Sequence, residues 1–357
     1  MKKEFIFVIV VAVVVILLAA VIVVTGFNSD LTKDKENQTT ADKLRIGYLP
    51  TNGHALIFVA QEEGYFAEEN LDVELFAFQN SAEGINAIIA NKIDIGGFGP
   101  SPLVYASKGA EVTVVGGLMG EGAGVIVKPE NADKYKSLED YKGKTIATVR
   151  MSSGDIFFRG VFSNAGIDIK EDLTIQEIES PAAVLEAVKS GKVDAGIVWT
   201  PYMEMAESQG LKVIAYSEEY YPKHPCCRIA VLTDNINTDR DSYVKMLKSL
   251  IRSYKFIHTN PDEAVDDVSN YVKVDKSILK EAMTNEHSYL SPDPNRQGVL
   301  TTYELLKSIG YIEDNGVDMN DHIDVTLYGQ ALDEILTEYP DDEYYLSMKA
   351  DFNNLDK

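Results

Sequence analysis

The sequence predicts an α/β protein of two doubly wound lobes behind a hydrophobic N-terminal segment. Three observations predict it. Short apolar strand patterns alternate with helical ones, the signature of parallel sheets with crossover helices. A segment recurs at an offset of one hundred residues: Lys92-Ile93-Asp94-Ile95-Gly96 returns as Lys192-Val193-Asp194-Ala195-Gly196, and Ala82 and Ala87 return as Ala182 and Ala187. The length of 357 residues suits about two domains.

The elements follow in order. Lys2 and Lys3 precede an uncharged apolar run from Phe5 to Val24. About 20 apolar residues span a bilayer, whereas a secretory h-region has ~7–15. Residues 1–27 are therefore expected to be a transmembrane signal anchor with the rest of the chain outside the cell; a long cleaved signal peptide is the alternative. No cysteine follows the run, so a lipid-modified anchor is excluded. Residues 28–42 are polar and lack aromatics, as a tether would, and hold the glycosylation sequon Asn37-Gln38-Thr39.

Leu44, Ile46 and Tyr48 alternate with polar or small residues until Pro50 stops the strand. Ala55 to Glu63 has helical spacing and ends at Gly64. Strands follow at Val73–Phe78, Ile93–Phe98 and Val112–Leu118, with a helix from Ser81 to about Asn91. A second lobe is expected over residues 128–222, with strands at Thr145–Val149, Thr174–Ile178, Ala195–Trp199 and Val213–Ala215. Arg228 to Leu232 is a further apolar strand, and five helical patterns come after it. They return the chain to the first lobe, which would comprise residues 43–127 and 223–338. The acidic, aromatic stretch 339–357 has no assigned structure.

Composition excludes several functions. There are 33 Lys and Arg against 56 Asp and Glu, a net charge of −23, whereas a nucleic-acid binder needs a basic face. The two cysteines, Cys226 and Cys227, are adjacent, so neither a disulfide framework nor a CxxC zinc pair exists. GxSxG, HExxH, P-loop, GxGxxG and EF-hand patterns are absent. Asp94 and Asp194 fall in separate lobes and read as turn caps, not as a catalytic pair.

Ordered motifs carry a family resemblance. Ala60-Gln61-Glu62-Glu63-Gly64-Tyr65-Phe66 with Leu71-Asp72-Val73-Glu74 resembles the opening of substrate-binding proteins of the nitrate/sulfonate/taurine ABC-importer class. Ala87 to Gly96, Leu138 to Ala147, Val188 to Ala195 and Tyr303 to Ile312 resemble later motifs of that class. The resemblance implies a bilobal clamp like the type II periplasmic binding proteins. Its partners would be a small solute, an ABC permease and its ATPase, with no cofactor. A pyrimidine synthase of fungal thiamin synthesis shares the superfamily and also carries a cysteine-rich stretch. This leaves an enzyme, or a thiamin-pyrimidine ligand, as alternatives; a sensor ectodomain ranks behind them.

In open α/β sheets ligands sit beyond the carboxyl ends of the strands. Those ends supply the expected site: Asn52, Gly53 and His54; Asn80 and Ser81; Pro100 and Ser101; Ser152, Ser153 and Gly154; Trp199 and Thr200. Each precedes a helix pattern, and helix N-termini present free N–H groups and a partial positive charge. Several converging on one cleft would hold a small oxoanion, a sulfonate ahead of nitrate or bicarbonate. The serines read equally as simple caps. In His224-Pro225-Cys226-Cys227-Arg228, strand alternation would place Arg228 and Cys226 in the cleft and Cys227 in the packing. The cysteines have three open states: a vicinal disulfide, free thiols, or a soft-metal site with His224.

Overall fold

The computed structural model describes residues 41–357. The apolar run Phe5–Val24, the sequon at Asn37 and most of the tether lie outside the described residues. Among the described residues, no helix is long and apolar enough to cross a membrane.

The strands are β1 (Asp42–Tyr48), β2 (Leu71–Ala77), β3 (Ile95–Gly97), β4 (Val112–Glu121), β5 (Ala123–Val127) and β6 (Thr145–Thr148). They continue as β7 (Thr174–Glu177), β8 (Ala195–Trp199), β9 (Lys212–Tyr216), β10 (Pro225–Leu232) and β11 (Ser288–Leu290). They form two sheets, ordered β11-β4-β10-β3-β1-β2 and β7-β6-β8-β5-β9. In the first, β1 lies parallel between β2 and β3, and β10 runs antiparallel between β3 and β4. In the second, β6 lies parallel between β7 and β8, and β5 runs antiparallel between β8 and β9.

The hundred-residue echo is the repeated unit of both sheets. Asn80 caps the helix Ser81–Ile89, its Oδ1 accepting from Glu83 N at 3.0 Å. Ser180 caps the helix Pro181–Ser190, its Oγ accepting from Ala183 N at 3.3 Å. Asp94 accepts from Arg45 N at 2.7 Å, and Asp194 accepts from Thr145 N at 2.9 Å. Each carboxylate ties the turn before the third strand of its unit to the first strand, 49 residues away in sequence, so it acts between strands and not as the local turn cap expected.

Two boundaries differ from expectation. The second lobe starts at Ala123, not near Lys128, because β5 pairs with β8 and β9. A single residue, Gly122 with φ 72°, separates β4 from β5, so two strands of different sheets read as one apolar stretch. The acidic stretch at the C-terminus is ordered. Its helix Glu343–Leu355 starts at Asp342, which accepts from Tyr344 N at 3.1 Å, and buries Tyr345, Met348 and Phe352. The Phe352 ring sits over Gly329 of the helix Thr326–Glu338, where a Cβ would come within 2.9 Å of it. The first lobe thus extends to the end of the chain.

Candidate functional site

Loops from the two sheets meet across the interface between the lobes. Asn52 Nδ2 donates to Thr200 Oγ1 at 3.2 Å and to Ala282 O at 3.3 Å, joining the loops after β1 and β8. Asn52 Oδ1 is buried without a partner. Ser153 Oγ, in the first turn of the helix Ser153–Asn164, lies 3.3 Å from Cys226 Sγ on β10. Beside them Gly53 leaves open the point a Cβ would fill, 3.2 Å from Met119 Sδ and 3.6 Å from Cys227 Sγ. Asn52, Gly53, Ser153 and Thr200 are therefore brought together with three sulfur atoms.

The other expected site residues have different roles. Asn80 and Ser152 are caps; Ser152 Oγ accepts from Asp155 N at 3.2 Å. Ser81 Oγ borders the Gly99 turn, 3.4 Å from where a Cβ on that glycine would lie. Pro100 is buried at the start of the helix Ser101–Ala106, and Ser101 is half-buried beside it. Gly154 lets its helix approach β5 and β8, since a Cβ there would come within 2.9 Å of Ile197 and 3.1 Å of Ala123. Trp199 is half-buried, edge-on to Tyr202 with ring centroids 6.0 Å apart. His54 is fully buried, with Nε2 donating to Gly97 O at 2.7 Å. Burial pushes its pKa down to about 4, so the imidazole is neutral and holds the loop after β1 against β3.

Arg228 does not project into the cleft as an anion ligand. It is 2% exposed. Its Nε donates to Cys227 O at 3.1 Å, Nη1 to Asp293 O at 2.7 Å and Pro294 O at 3.1 Å, and Nη2 to Met119 O at 2.7 Å. Gly117 makes room, because a Cβ there would stand 2.6 Å from Nη1. The guanidinium instead staples β10 to β4 and to the loop before the helix Arg296–Ser308. The alternation argument fails here because the β10–β4 register slips between Pro225 and Cys227, between Cys227 and Arg228, and between Ile229 and Ala230.

The slips also bring both thiols to one side, with Sγ atoms 3.6 Å apart and unbonded. A hydrogen bond between them draws the Cys226 thiol down and raises that of Cys227. His224 takes no part: its Nε2 pairs with Ser217 Oγ at 2.7 Å and its ring lies over Phe157 at 3.8 Å. Among the described residues no three His, Cys, Asp or Glu side chains are grouped to hold a metal.

One seam of the interface is sealed. Buried Asp155 accepts from Arg159 Nε at 2.7 Å and from Tyr311 OH of the first lobe. Phe157 belongs to one apolar cluster with Val299, Tyr303 and Leu306 of that lobe. Met119 has no signal in the sequence, since a methionine in an apolar strand reads as core.

Comparisons with known proteins extend this geometry. A protein of Bacillus subtilis (strain 168), named provisionally as an aliphatic sulfonates-binding protein, is 25% identical over 309 residues, 82% of this chain and 89% of its own length. The periplasmic aliphatic sulphonate binding protein SsuA of Escherichia coli superposes with a TM-score of 0.69 at 17% identity, covering 79% of this chain and 92% of its own. The periplasmic nitrate-binding protein NrtA of Synechocystis PCC 6803 also gives 0.69, at 14% identity, covering 83% and 89%. At such identities the structural likeness is one of fold, a two-sheet α/β periplasmic-binding-protein architecture. Residues 37–272 match the NMT1-like family, and the chain belongs to it.

Proposed function

We propose that this chain is the extracytoplasmic solute-binding component of an ABC importer, held at the membrane by its N-terminal segment or secreted after that segment is cleaved. The observation that carries the reading is the meeting of strand-end loops from two sheets, at Asn52–Thr200 and Ser153–Cys226. Such a protein binds and closes; it makes no bonds. The solute shifts the open–closed balance only through its preference for the closed form.

The ligand proposed is a small oxoanion of the sulfonate type, ahead of nitrate or bicarbonate. The names of the relatives support this class, as does the N-terminus of the helix Ser153–Asn164 at the cleft. With Arg228 engaged by carbonyls, backbone N–H groups and Ser153 carry the anion's charge, and Met119 and Trp199 are the apolar surfaces for an organic tail. A second reading, an uncharged pyrimidine of the thiamin-precursor type, is favoured by the engagement of Arg228 with backbone carbonyls.

Thermal unfolding of the full chain with taurine, alkanesulfonates, nitrate, bicarbonate and pyrimidines decides between them. A true ligand at about 100 times its Kd stabilises by about 2.7 kcal/mol. A response to sulfonates is expected; a response to pyrimidines alone transfers the assignment, and none across the panel refutes both. N-terminal sequencing of the native protein tests the anchor, since a start between Gly26 and Asn37 means cleavage.

A further inference from the structure

Cys226 and Cys227 are neighbours on β10, and neighbours on a regular strand point to opposite faces. Here they do not. Pro225 pairs with Gly120 and Cys227 with Met119, so Cys226 is an extra residue with no partner of its own on β4. Bulges of this kind re-aim side chains. Both thiols are free and come to one side, with Sγ atoms 3.6 Å apart. Met119 is the cross-strand partner of Cys227, so its thioether shares that side. Met119 Sδ and Cys227 Sγ stand 3.2 Å and 3.6 Å from the point left open at Gly53. Three sulfur atoms from two strands thus converge in one wall of the cleft, and the solute reading leaves both thiols unused.

The spacing of the thiols selects the kind of ion. Two sulfurs 3.6 Å apart, each about 2.3 Å from one metal, subtend roughly 100° at it. A linear two-sulfur ion would require about 4.6 Å between them. A bent pair leaves a coordination position open, and Met119 Sδ is the donor on that side. Zinc is not the match. It takes four ligands in its structural sites, and among the described residues no His, Asp or Glu joins the cysteines in a group of three. Two thiolates and a thioether are the soft donor set that selects Cu(I).

We propose that Cys226, Cys227 and Met119 form a three-sulfur site for one Cu(I) ion in the wall of the cleft. Both thiols release their protons to solvent as the ion enters. Copper stays in the +1 state, so no electron donor or acceptor takes part. The resulting complex carries a single negative charge. Ser153 Oγ, 3.3 Å from Cys226 Sγ, donates to it from the second lobe, and the Arg228 guanidinium is fixed on Cys227 O at 3.1 Å. Cys226 is half-buried, so the ion reaches the pair from the cleft, whereas Cys227 and Met119 are buried. The proposal holds whichever solute the cleft takes, because all three donors are side chains of the chain itself.

Anaerobic titration of the full chain with Cu(I), in competition with bicinchoninate, tests it. One ion per chain is expected, with thiolate-to-copper charge transfer in the ultraviolet. Cys226→Ser and Cys227→Ser should each weaken binding at least about a hundred-fold, and Met119→Leu about ten-fold or more. Met319→Leu, in a different apolar cluster, should leave it unchanged. Adjacent cysteines bind copper in an unfolded chain too, so the folded site is read from thermal unfolding: Cu(I) should raise Tm, and raise it less in Met119→Leu. Should the serine variants fail to fold, Met119→Leu decides, since a swap of similar volume keeps the core. Unchanged affinity in Met119→Leu, binding no tighter than in the urea-unfolded chain, or a native chain without free thiols overturns the proposal. Copper binding without any sulfonate response supports this site while refuting the oxoanion reading, and the reverse result does the opposite.

Discussion

The repeated strand–helix–strand unit appears once in each lobe, and the two copies fill their interiors differently. In the first lobe Phe98 is fully buried, and its ring occupies the space above three small positions. A Cβ on Gly84 would meet it at 2.0 Å, one on Gly96 at 2.5 Å and one on Gly47 at 2.7 Å. One hundred residues on, the corresponding positions are Val198, Val184, Gly196 and Ala147. There Val184 Cγ1 stands 2.6 Å from where a Cβ on Gly196 would be. One large ring over three glycines in one lobe is matched by several aliphatic side chains in the other. The scaffold tolerates either solution, but each is a set, because dense interiors fix total volume and not individual residues.

Four experiments can break or sharpen that comparison. The largest effect is expected from Phe98→Ala, which removes a whole ring from a site without neighbours able to collapse into it. About 3–5 kcal/mol should be lost in urea unfolding, against about 2 kcal/mol for Val198→Ala in the second lobe. Equal losses would mean that the two interiors are not alternative packings.

The second contrast sets His54 against its counterpart Gly154. The folded-state pKa of His54, about 4, lies below the usual 6.5, so the unfolded chain takes up the proton first. Its contribution is therefore intact above pH 6.5, declines as pH falls toward 4, and is lost below that. The total should be on the order of 3 kcal/mol, at 1.36 kcal/mol per pKa unit. His224, held down to about 3 by burial, extends the same decline. His54→Gln should flatten the stability profile between pH 6.5 and 4, and an unchanged slope would assign the acid sensitivity elsewhere.

Next comes the packing swap itself. Gly84→Val places a side chain inside the Phe98 ring and should cost about 1–3 kcal/mol. In a Phe98→Val background that cost should shrink by at least about 1 kcal/mol, a coupling that a double-mutant cycle measures. Additive costs would show that the two positions do not share one volume. The smallest effect concerns the two carboxylates that tie each third-strand turn to the first strand. Asp194→Ala removes a bond to one backbone N–H and should cost about 1 kcal/mol. Asp94→Ala should cost somewhat more, because Asp94 also accepts from Arg45 Nε at 3.0 Å.

The legible part of this molecule follows from short-range signals. Strand ends and helix caps are set by residues a few positions apart, and the structure reproduces the caps of both repeat units with equivalent hydrogen bonds at Asn80 and Ser180. The C-terminal helix was equally open to reading: Tyr345, Met348 and Phe352 have helical spacing, but the surrounding acidic residues obscured it. The candidate site was legible as a set of loops, of which Asn52, Gly53, Ser153 and Thr200 converge.

The sequence by itself determined two α/β lobes, their strand order in the chain and the loops that face one another, because periodicity and turn chemistry act locally. Tertiary structure alone decided the fate of Arg228, where register slips in β10 and a gap at Gly117 turn a charged side chain toward backbone carbonyls. It also decided that β5 leaves the sheet of β4 after one glycine, and that Glu204 and Glu281, from different lobes, line one open pocket. These outcomes depend on which strand lies beside which. That is settled by packing between distant segments, and no window of neighbouring residues carries it.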